Sequence, residues 1–310
     1  MSKRIATLTV NPALDIAMEA NDVRPGRKIR TRDATYDPGG GGINVSRVIH
    51  ALGGDTLALL AIGGPTGRFI EEMLGDAGVP CWAVTVPGTT RVSVTVQETS
   101  SGAEYRFVPE GALLKPSDAE RFLALLADVR ADWLVASGSL PPGFPADFYA
   151  QVARLARRRD MRFALDTSGV ALEAALHQGI DLLKASLGEF QSIVGVQASD
   201  GNVLAREASR LAATGAASMI ALTLGERGAI LATPERQLVQ PALRVQVRSA
   251  VGAGDSFLAG LVLGLARQQP AEEALRLAMA ASAAAVTSRG TARVTREQVE
   301  ALLASALVQA

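Results

Sequence analysis

The chain has 310 residues, 48% of them hydrophobic, and its 31 basic and 31 acidic side chains cancel. This length suffices for one large or two modest domains with a sizeable core, and the balanced charge gives no net field favouring nucleic acid or an anionic membrane. The single cysteine, Cys81, excludes an intrachain disulfide and a zinc site built from cysteines, which fits a reducing cytosol.

The N-terminal residues 1–4 lead directly into a strand-like segment, residues 5–10, with no apolar signal region behind the positive charges. No window approaches 18 uninterrupted apolar residues, and an aromatic content of 4% argues against a stacking platform for single-stranded nucleic acid. We therefore expect a cytoplasmic protein whose partners are small molecules, with neither a membrane nor a nucleic acid among them.

Short apolar runs alternate with segments of helical periodicity over most of the chain. The predicted strands are residues 5–10, 57–62, 133–137, 162–166, 181–184, 218–224 and 229–232. The predicted helices between them are residues 43–52, 66–77, 117–129, 146–158 and 189–194. This alternation predicts a parallel sheet with helices on both faces.

Two stretches interrupt the alternation. Residues 91–97 have a strict period of two, and residues 104–108 follow after a glycine-containing turn, which together predict a hairpin with one apolar face. The polar segment 19–36 lacks helical periodicity and is a candidate for further strand in the same small sheet. We interpret residues 12–36 and 88–110, approximately, as a β lid inserted in a single domain that spans residues 1–310.

Four glycines in succession, residues 39–42, stand ahead of a predicted helix that begins near Asn44. Each glycine costs backbone entropy on folding, so we expect some group to approach this backbone closely. A phosphate nest and a sugar whose hydroxyls bond the exposed peptide groups fit the segment equally well.

Two more turns follow predicted strands and contain Ser137-Gly138-Ser139 and Asp166-Thr167-Ser168-Gly169. The carboxyl edge of a parallel sheet is where open α/β folds bind ligands. These turns are therefore expected near a binding site.

The segment Gly252-Ala253-Gly254-Asp255 precedes apolar residues spaced as on a buried helix face, which places Asp255 in the first turn of a helix. The N–H groups at a helix start attract an anion. A carboxylate there is useful when it takes a proton from a hydroxyl that attacks a phosphoryl group held by the same N–H groups. The alternative is that the glycines shape a turn and Asp255 caps the helix.

Other phosphoryl-transfer and redox motifs are missing from the sequence. No GxxxxGK[ST] loop exists, and no strand-embedded GxGxxG suggests a dinucleotide site. The two histidines, His50 and His177, lie in amphipathic helical patterns and are interpreted as surface residues rather than as a metal pair or a triad base.

The order and spacing of these motifs, together with a Thr223-Leu224-Gly225-Glu226-Arg227-Gly228 turn, resemble the signatures of the ribokinase/PfkB family of sugar kinases. The resemblance implies a ribokinase-like three-layer α/β/α sandwich with a mostly parallel sheet and a small β-sheet lid. It also implies phosphoryl transfer from MgATP, a homodimer formed through the lid, and in some members a monovalent cation such as K⁺ held by carbonyls near Val251 and residues 285–290.

The resemblance assigns roles to individual residues. Asp255 is the implied general base, and Gly252, Ala253 and Gly254 bind the charge on the transferred phosphoryl group. The implied sugar-phosphate ligands are Asp15, Lys28, Arg30, Gly39, Gly40, Gly41, Gly42, Asn44, Arg91 and Ser139. The implied ATP ligands are Lys184, Ser186, Thr223, Gly225, Gly228, Ala281 and Ser282, and Glu189 is implied to hold magnesium through water.

Within the family, the context of Lys28, Arg30 and Arg91 resembles the ribokinase-type 6-phosphofructokinases. Relatives that act on fructose 1-phosphate or tagatose 6-phosphate have lysine at the position of Gly41. The resemblance therefore implies phosphorylation of the C1 hydroxyl of fructose 6-phosphate. The alternatives are a tagatose-6-phosphate kinase, a 1-phosphofructokinase, and a non-catalytic nucleotide or sugar-phosphate sensor.

One motif departs from the family pattern Lys-Pro-Asn-x-x-Glu, because this chain has Lys184-Ala185-Ser186-Leu187-Gly188-Glu189. Ser186 replaces the amide while Glu189 stays in register, so we expect an altered magnesium dependence rather than its loss. Gly188 replaces a lysine that lies near bound nucleotide, which puts an inhibitory second ATP site in doubt.

Overall fold

The computed structural model describes residues 3–288 and 293–308. Its strands are β1 (Arg4–Thr9), β2 (Ala13–Ala20), β3 (Thr31–Gly39), β4 (Asp55–Ile62), β5 (Cys81–Thr85), β6 (Arg91–Glu98), β7 (Glu104–Phe107), β8 (Trp133–Ser137), β9 (Arg162–Asp166), β10 (Ile180–Ser186), β11 (Ala217–Thr223), β12 (Ala229–Ala232) and β13 (Gln237–Gln240). Its helices are α1 (Gly41–Ala51), α2 (Gly64–Asp76), α3 (Pro116–Asp128), α4 (Phe148–Arg158), α5 (Gly169–Gln178), α6 (Leu187–Val194), α7 (Gly201–Ala213), α8 (Ala253–Ala266), α9 (Ala271–Val286) and α10 (Arg296–Val308).

Nine strands form one sheet in the order β13-β12-β11-β10-β9-β8-β1-β4-β5. The pairings from β11 to β5 are all parallel, and β12 and β13 add an antiparallel edge. The predicted mostly parallel sheet is confirmed. All seven predicted strands are present. Six of them are parallel strands with mostly buried apolar runs, as parallel strands require, and the seventh, β12, is buried but antiparallel.

Apolar clusters fill both faces of this sheet. One contains the aromatic side chains of Phe122, Phe148 and Phe163, and the other packs α1, α8 and α9 against the opposite face. Helices on both faces give the predicted three-layer sandwich. Among the described residues, no helix combines the length and the apolar character needed to cross a membrane.

The sequence analysis missed the edge strands β5 and β13 and the helices α5 and α7. Edge strands alternate in exposure and are short, as Trp82 with 45% of its surface exposed shows for β5. The start of α7 did carry a signal, since the Asp200 side chain accepts hydrogen bonds from the N–H groups of Asn202 and Val203.

Four strands form a second sheet in the order β3-β2-β6-β7. The predicted hairpin is present as the antiparallel pair β6 and β7, and the polar segment 19–36 contributes the end of β2 and the start of β3. Strand alternation gives this sheet two different faces. Asp15 and Ser93 share the inner, polar face, whereas Ile16 and Val94 share the outer, apolar face.

The alanine-rich helix α9 packs tightly against α8. Helices α8 and α9 are antiparallel, and a Cβ atom placed on Gly260 would lie 2.8 Å from the Ala278 Cα atom. A Cβ atom on Gly264 would lie 2.7 Å from the Ala274 Cα atom. The backbones of the two helices are therefore in direct contact, and this contact fixes the start of α8 over the sheet.

We expect Gly260→Ala to destabilise the protein by about 1–3 kcal/mol, because the added methyl group meets backbone atoms that cannot move away. This loss should exceed the helix-propensity gain of about 1 kcal/mol. Urea unfolding measures the difference.

Gly75→Ala in α2 is the matched control, since no heavy atom lies within 4 Å of the Cβ position there. It should be neutral or stabilising by up to about 1 kcal/mol. Equal effects of the two variants would contradict the close contact between α8 and α9.

Candidate active site

Four strands of the large sheet end side by side in polar residues. Ser137 at the end of β8 pairs in register with Asp166 at the end of β9, and Ser186 at the end of β10 pairs with Thr223 at the end of β11. These four residues span some 90 positions in the sequence, and the register of the parallel strands brings them together at one edge of the sheet. The first turn of α8 lies at the same edge.

Asp255 joins the two glycine-rich motifs. Its Oδ2 atom accepts a hydrogen bond of 2.9 Å from the Nδ2 atom of Asn44, which lies 211 residues away in the sequence. Its Oδ1 atom lies 3.4 Å from the Ser137 hydroxyl. Burial, reinforced by the charge of Asp166, raises the pKa of Asp255 to about 6, and Asn44 and Lys184 oppose the shift. Asp255 therefore does not cap its own helix, and that alternative is wrong.

A buried ion pair lies beside Asp255. The Lys184 ammonium is 2.9 Å from the Asp166 carboxylate, and both side chains are almost inaccessible. Burial raises the pKa of Asp166, and Lys184 opposes this shift. Burial lowers the pKa of Lys184, but the charges of Asp166, Asp255 and Glu189 outweigh it, so the pKa of Lys184 is raised overall. Lys184 is thus a fixed cation among three acids.

The segment before α8 has the geometry of an anion cradle. Gly252 is the N-cap residue in a left-handed conformation with φ of 76°, and no side chain caps the helix among the described residues. A Cβ atom on Gly254 would lie 2.9 Å from the Lys184 Nζ atom. First-turn N–H groups and the Lys184 ammonium therefore face the same position, where an anion gains from both.

The close approach expected at the glycine run is made by the protein itself. A Cβ atom on Gly39 would lie 2.1 Å from the Asp15 Oδ2 atom, and one on Gly41 would lie 2.0 Å from the Ser137 Oγ atom. The neighbouring Gly40 and Gly42 lie in the same turn and complete the start of α1. The glycines let two polar side chains from distant strands reach this backbone.

Asp15 lies on the inner face of the small sheet. Burial, reinforced by Asp37, raises the pKa of Asp15 to about 6, and the nearby charges of Arg91 and Arg106 oppose the shift. Arg91 donates hydrogen bonds to the carbonyl groups of Asn11 and Pro109 at 2.8 and 2.7 Å. Its guanidinium therefore holds the start of β2 close to the end of β7. This structural role is separate from any contact with a ligand.

The Ser139 loop is held by buried hydroxyl groups. The Tyr149 and Thr167 hydroxyls both donate to the Gly138 carbonyl, at 2.9 and 3.0 Å. Ser139 accepts a 3.2 Å hydrogen bond from the Asn11 side chain. This places Ser139 between the large sheet and the start of the small sheet.

Lys28 and Arg30 lie apart from this cluster within one chain. They are exposed in the connection between β2 and β3, whereas Gly39 ends β3 nine residues further along. At about 3.4 Å per residue the strand separates its ends by roughly 25 Å. Within one chain, Lys28 and Arg30 are therefore too far from Gly39 to contact a sugar phosphate bound there. Their contact with the sugar phosphate stays a prediction, and it requires a site other than the one formed by their own chain.

The predicted ATP ligands lie along the sheet edge beyond Lys184. The Ser186 hydroxyl donates a 2.7 Å hydrogen bond to the Glu189 carboxylate, and the Ser186 N–H group donates another at 2.7 Å. Gly225 and Gly228 bound the tight turn that follows Thr223. Ala281 and Ser282 lie on α9, and the antiparallel contact at Gly260 and Ala278 carries them to the level of the first turns of α8.

Among the described residues, no three histidine, cysteine or acidic side chains converge as direct ligands of a metal ion. The Glu189 carboxylate accepts two hydrogen bonds from Ser186, and its contact with magnesium through water stays a prediction. In the predicted K⁺ segment, the Val286 carbonyl accepts the Arg248 N–H group at 2.7 Å. Residues 289 and 290 of that segment lie outside the described residues.

Ser137 and Asp166 lie in turns that were expected near a binding site but were given no role of their own, and Tyr149 and Arg106, which the structure also brings to the site, were not predicted. Asp166 and Ser137 carried a signal, because each closes an apolar strand with a polar residue. Tyr149 and Arg106 carried none, since a tyrosine in a helix and an arginine in a hairpin are ordinary.

Comparison with known proteins gives a consistent result. The model of the pfkB family of carbohydrate kinases matches residues 9–298. The ATP-dependent 6-phosphofructokinase isozyme 2 of Mycobacterium tuberculosis is 42% identical over 96% of this chain and 88% of its own length. The isozyme 2 of Escherichia coli is 34% identical over 97% of this chain and 98% of its own length.

The fold of the E. coli protein matches as well. Its structure in complex with fructose-6-phosphate has a TM-score of 0.92, with 33% identity over 98% of this chain and 99% of that one. Its structure in complex with potassium has a TM-score of 0.93 with the same identity and coverage.

We predict that Lys184→Met lowers the free energy of unfolding at pH 8 by about 3 kcal/mol or more, because it leaves Asp166 and Asp255 as buried, uncompensated charges. The deficit should shrink at pH 5.5. Both carboxyl groups have raised folded-state pKa values, so the folded variant takes up more protons than the unfolded chain as the pH falls.

Lys3→Met is the control, since Lys3 pairs with Asp132 at 2.7 Å on the surface. It should cost less than about 1 kcal/mol at either pH. Urea unfolding at both pH values checks the prediction, and a Lys184→Met deficit that does not change with pH would contradict it.

Proposed function

The chain belongs to the pfkB family of carbohydrate kinases, and we propose that it transfers the γ-phosphoryl group of ATP to the C1 hydroxyl of fructose 6-phosphate. It is an ATP-dependent sugar-phosphate kinase, as its relatives are. The observation that carries the proposal is the Asp255 carboxylate, which lies beside an uncapped helix start and the Lys184 ammonium. A base and an anion cradle in one helix turn are what transfer to a hydroxyl needs.

Asp255 accepts the proton of the C1 hydroxyl as that oxygen bonds to the γ-phosphorus atom and the bond to ADP breaks. With a pKa of about 6, it is ionised at neutral pH yet more basic than an ordinary aspartate. Asn44 holds one carboxylate oxygen through its Nδ2 atom. The other oxygen accepts a long hydrogen bond of 3.4 Å from the Ser137 hydroxyl, which is equally far from Asp166, so the substrate hydroxyl can replace this weak donor.

The cradle supports the charge that develops on the transferred group. N–H groups at Gly252 and Gly254 and the Lys184 ammonium need no reorganisation during the reaction in this proposal. The Ala253 N–H group donates to the Ala250 carbonyl at 3.3 Å and would exchange this partner for a phosphoryl oxygen. Preorganised donors of this kind are usually the largest protein contribution to phosphoryl transfer.

The sugar binds under the small sheet in this proposal. The Asn44 Oδ1 atom is buried without a hydrogen-bond partner among the described residues, so it is a ready acceptor for a sugar hydroxyl. The contact between Gly41 and Ser137 fills the space that a lysine side chain at position 41 would take. This favours fructose 6-phosphate over the substrates of relatives that have lysine there.

Magnesium enters with ATP, and Mg²⁺ commonly uses one or two carboxylates together with substrate phosphates. Glu189 fits this role through water, and its hydrogen bonds from Ser186 limit how far it can move. When bound, the ion neutralises charge on the phosphates. The potassium complex of the E. coli relative supports a K⁺ site near Val251, which backbone carbonyls would provide.

Two alternatives remain to be tested beside the main proposal. A tagatose-6-phosphate kinase or a 1-phosphofructokinase would use the same base and cradle with a different sugar. A non-catalytic sensor is favoured by Ser186 in the altered motif, but a sensor has no need of a buried carboxylate with a raised pKa at the cradle.

The test is a coupled ADP-release assay with MgATP and four sugars. We expect fructose 6-phosphate to give the highest kcat/KM, ahead of tagatose 6-phosphate, fructose 1-phosphate and unphosphorylated fructose. A preference for another phosphosugar would reassign the substrate, and ATP binding without turnover of any sugar would support the sensor.

Asp255→Asn should lower kcat by about a thousandfold or more, because loss of a general base costs roughly 10²–10⁴. Its Tm at pH 8 should not fall, since the variant buries a neutral amide in place of a carboxylate. The wild-type kcat/KM should decrease as the pH falls through about 6, the pKa of Asp255, because the base must be ionised.

Asp76→Asn, at an exposed acid in α2, is the control and should retain full activity. Substantial turnover by Asp255→Asn would exclude Asp255 as the base, and a flat profile between pH 5 and 7 would contradict its raised pKa.

We also propose that two copies pair through the outer face of the small sheet. That face carries Met18 and Val94 and ends in Phe107, which has 59% of its surface exposed. Ile16 and Tyr36 on the same face pack in part against the chain's own core and against Phe69. Apolar faces of this kind mark interfaces. A partner bound there would also bring its own hairpin end, with Lys28 and Arg30, towards the neighbouring site.

Complementation between inactive variants tests this pairing. Lys28→Ala combined with Arg30→Ala should inactivate one chain and Asp255→Asn the other, and mixing them should restore up to about a quarter of wild-type activity through heterodimers. Val94→Glu should give monomers in sedimentation velocity, whereas Val239→Glu, on the exposed edge strand β13, should not. A monomeric wild-type protein would refute the interface.

A further inference from the structure

Six arginines and no lysine occur between residues 130 and 162, at the end of the sheet opposite Asp255. Three of them have structural partners. Arg154 binds the Gln178 side chain, Arg157 binds the Gln178 and Gly179 carbonyls, and Arg162 lies 5.6 Å from the centre of the Trp133 ring. These three hold α4 and β9 to their neighbours and need no ligand.

The side chains of the other three, Arg130, Arg158 and Arg159, have no hydrogen bond, ion pair or ring contact within residues 3–288 and 293–308. They line one surface cleft together with Val129, Ala131 and Asp160, and its volume is about 300 Å³. Arg130 comes from the connection between α3 and β8, and the other two come from the end of α4. Two chain segments therefore present unpaired guanidinium groups to the same space.

Helix electrostatics account for only part of this arrangement. Arg158 and Arg159 lie at the negative end of the α4 dipole, and Arg130 follows the C-cap residue of α3. Each helix end accounts for the charge beside it, but neither accounts for three guanidinium groups that line one cleft. Three like charges around one cleft repel one another, and an anion removes this repulsion. Guanidinium groups also match phosphate oxygens with two parallel hydrogen bonds, which lysine cannot do.

We propose that the cleft bounded by Arg130, Arg158 and Arg159 is a second anion site, which binds a small phosphate-bearing molecule away from the reaction centre. Asp160 is the one acid that lines the cleft, and its carboxylate opposes the anion. It has a positive φ of 55°, a conformation that asparagine tolerates well. Asp160→Asn therefore removes the opposing charge without a backbone change.

Calorimetric titration with inorganic pyrophosphate and with phenyl phosphate tests the site at low ionic strength. The cradle at α8 takes up the same anions in every variant, so the cleft is read from differences between variants. We expect Arg130→Gln combined with Arg158→Gln to lose one binding equivalent, or to bind it at least about tenfold more weakly. Asp160→Asn should bind it several-fold more tightly, and kinase activity without the anion should be unchanged in both.

Arg68→Gln combined with Arg206→Gln is the control, because both arginines are exposed and removing them changes the net charge equally. It should bind like the wild type. Binding of both probes assigns recognition to the phosphate group, and binding of pyrophosphate alone assigns it to the free inorganic anion. The same stoichiometry and affinity in all variants would overturn the proposed second anion site. This result does not depend on the fructose 6-phosphate assay, which tests the proposed kinase activity.

Discussion

The rest of the site depends on how buried carboxylates share one ammonium group. Asp166, Asp255 and Glu189 all contribute to the raised pKa of Lys184, and only Asp166 is its direct partner, at 2.9 Å. Burial, reinforced by the charge of Asp166, raises the pKa of Asp255 to about 6, and Lys184 offsets only part of this shift. The buried charge costs stability, and the raised pKa suits Asp255 to its proposed role as the base.

Local patterns were enough to predict the sheet, its seven principal strands and the position of Asp255 at the start of a helix. Each rests on periodicity or on glycines within about ten residues, which local sterics largely determine. The pairing of Ser137 with Asp166 could not be read in this way. It depends on the register of β8 against β9, and register is a property of two strands that are distant in sequence.

The glycine run 39–42 is a second case in which contacts between distant segments could not be predicted from the sequence. Its need for close approach was evident from composition, but the approaching groups were not, since the Asp15 carboxylate and the Ser137 hydroxyl come from separate strands. The consequence reaches the substrate. The Asp15 and Ser137 oxygens already contact the backbone of this turn. A ligand that binds over the turn must fit around these two oxygens, so the turn selects ligands by shape as well as by hydrogen bonding.

Strand alternation gives the small sheet one face for the proposed substrate site and another for the proposed pairing of two chains. Asp15 points to the inner face and Ile16 to the outer face, and β6 repeats the pattern with Ser93 and Val94. A shift of one residue in this register would put the carboxylate into the apolar face and the apolar side chains over the ligand. Arg91 opposes such a shift, because it fixes the carbonyl group of Asn11, just before β2, and that of Pro109, just after β7, at one end of the sheet. The proposed substrate site and the proposed pairing of two chains therefore share one register, and substitutions on either face are expected to alter both.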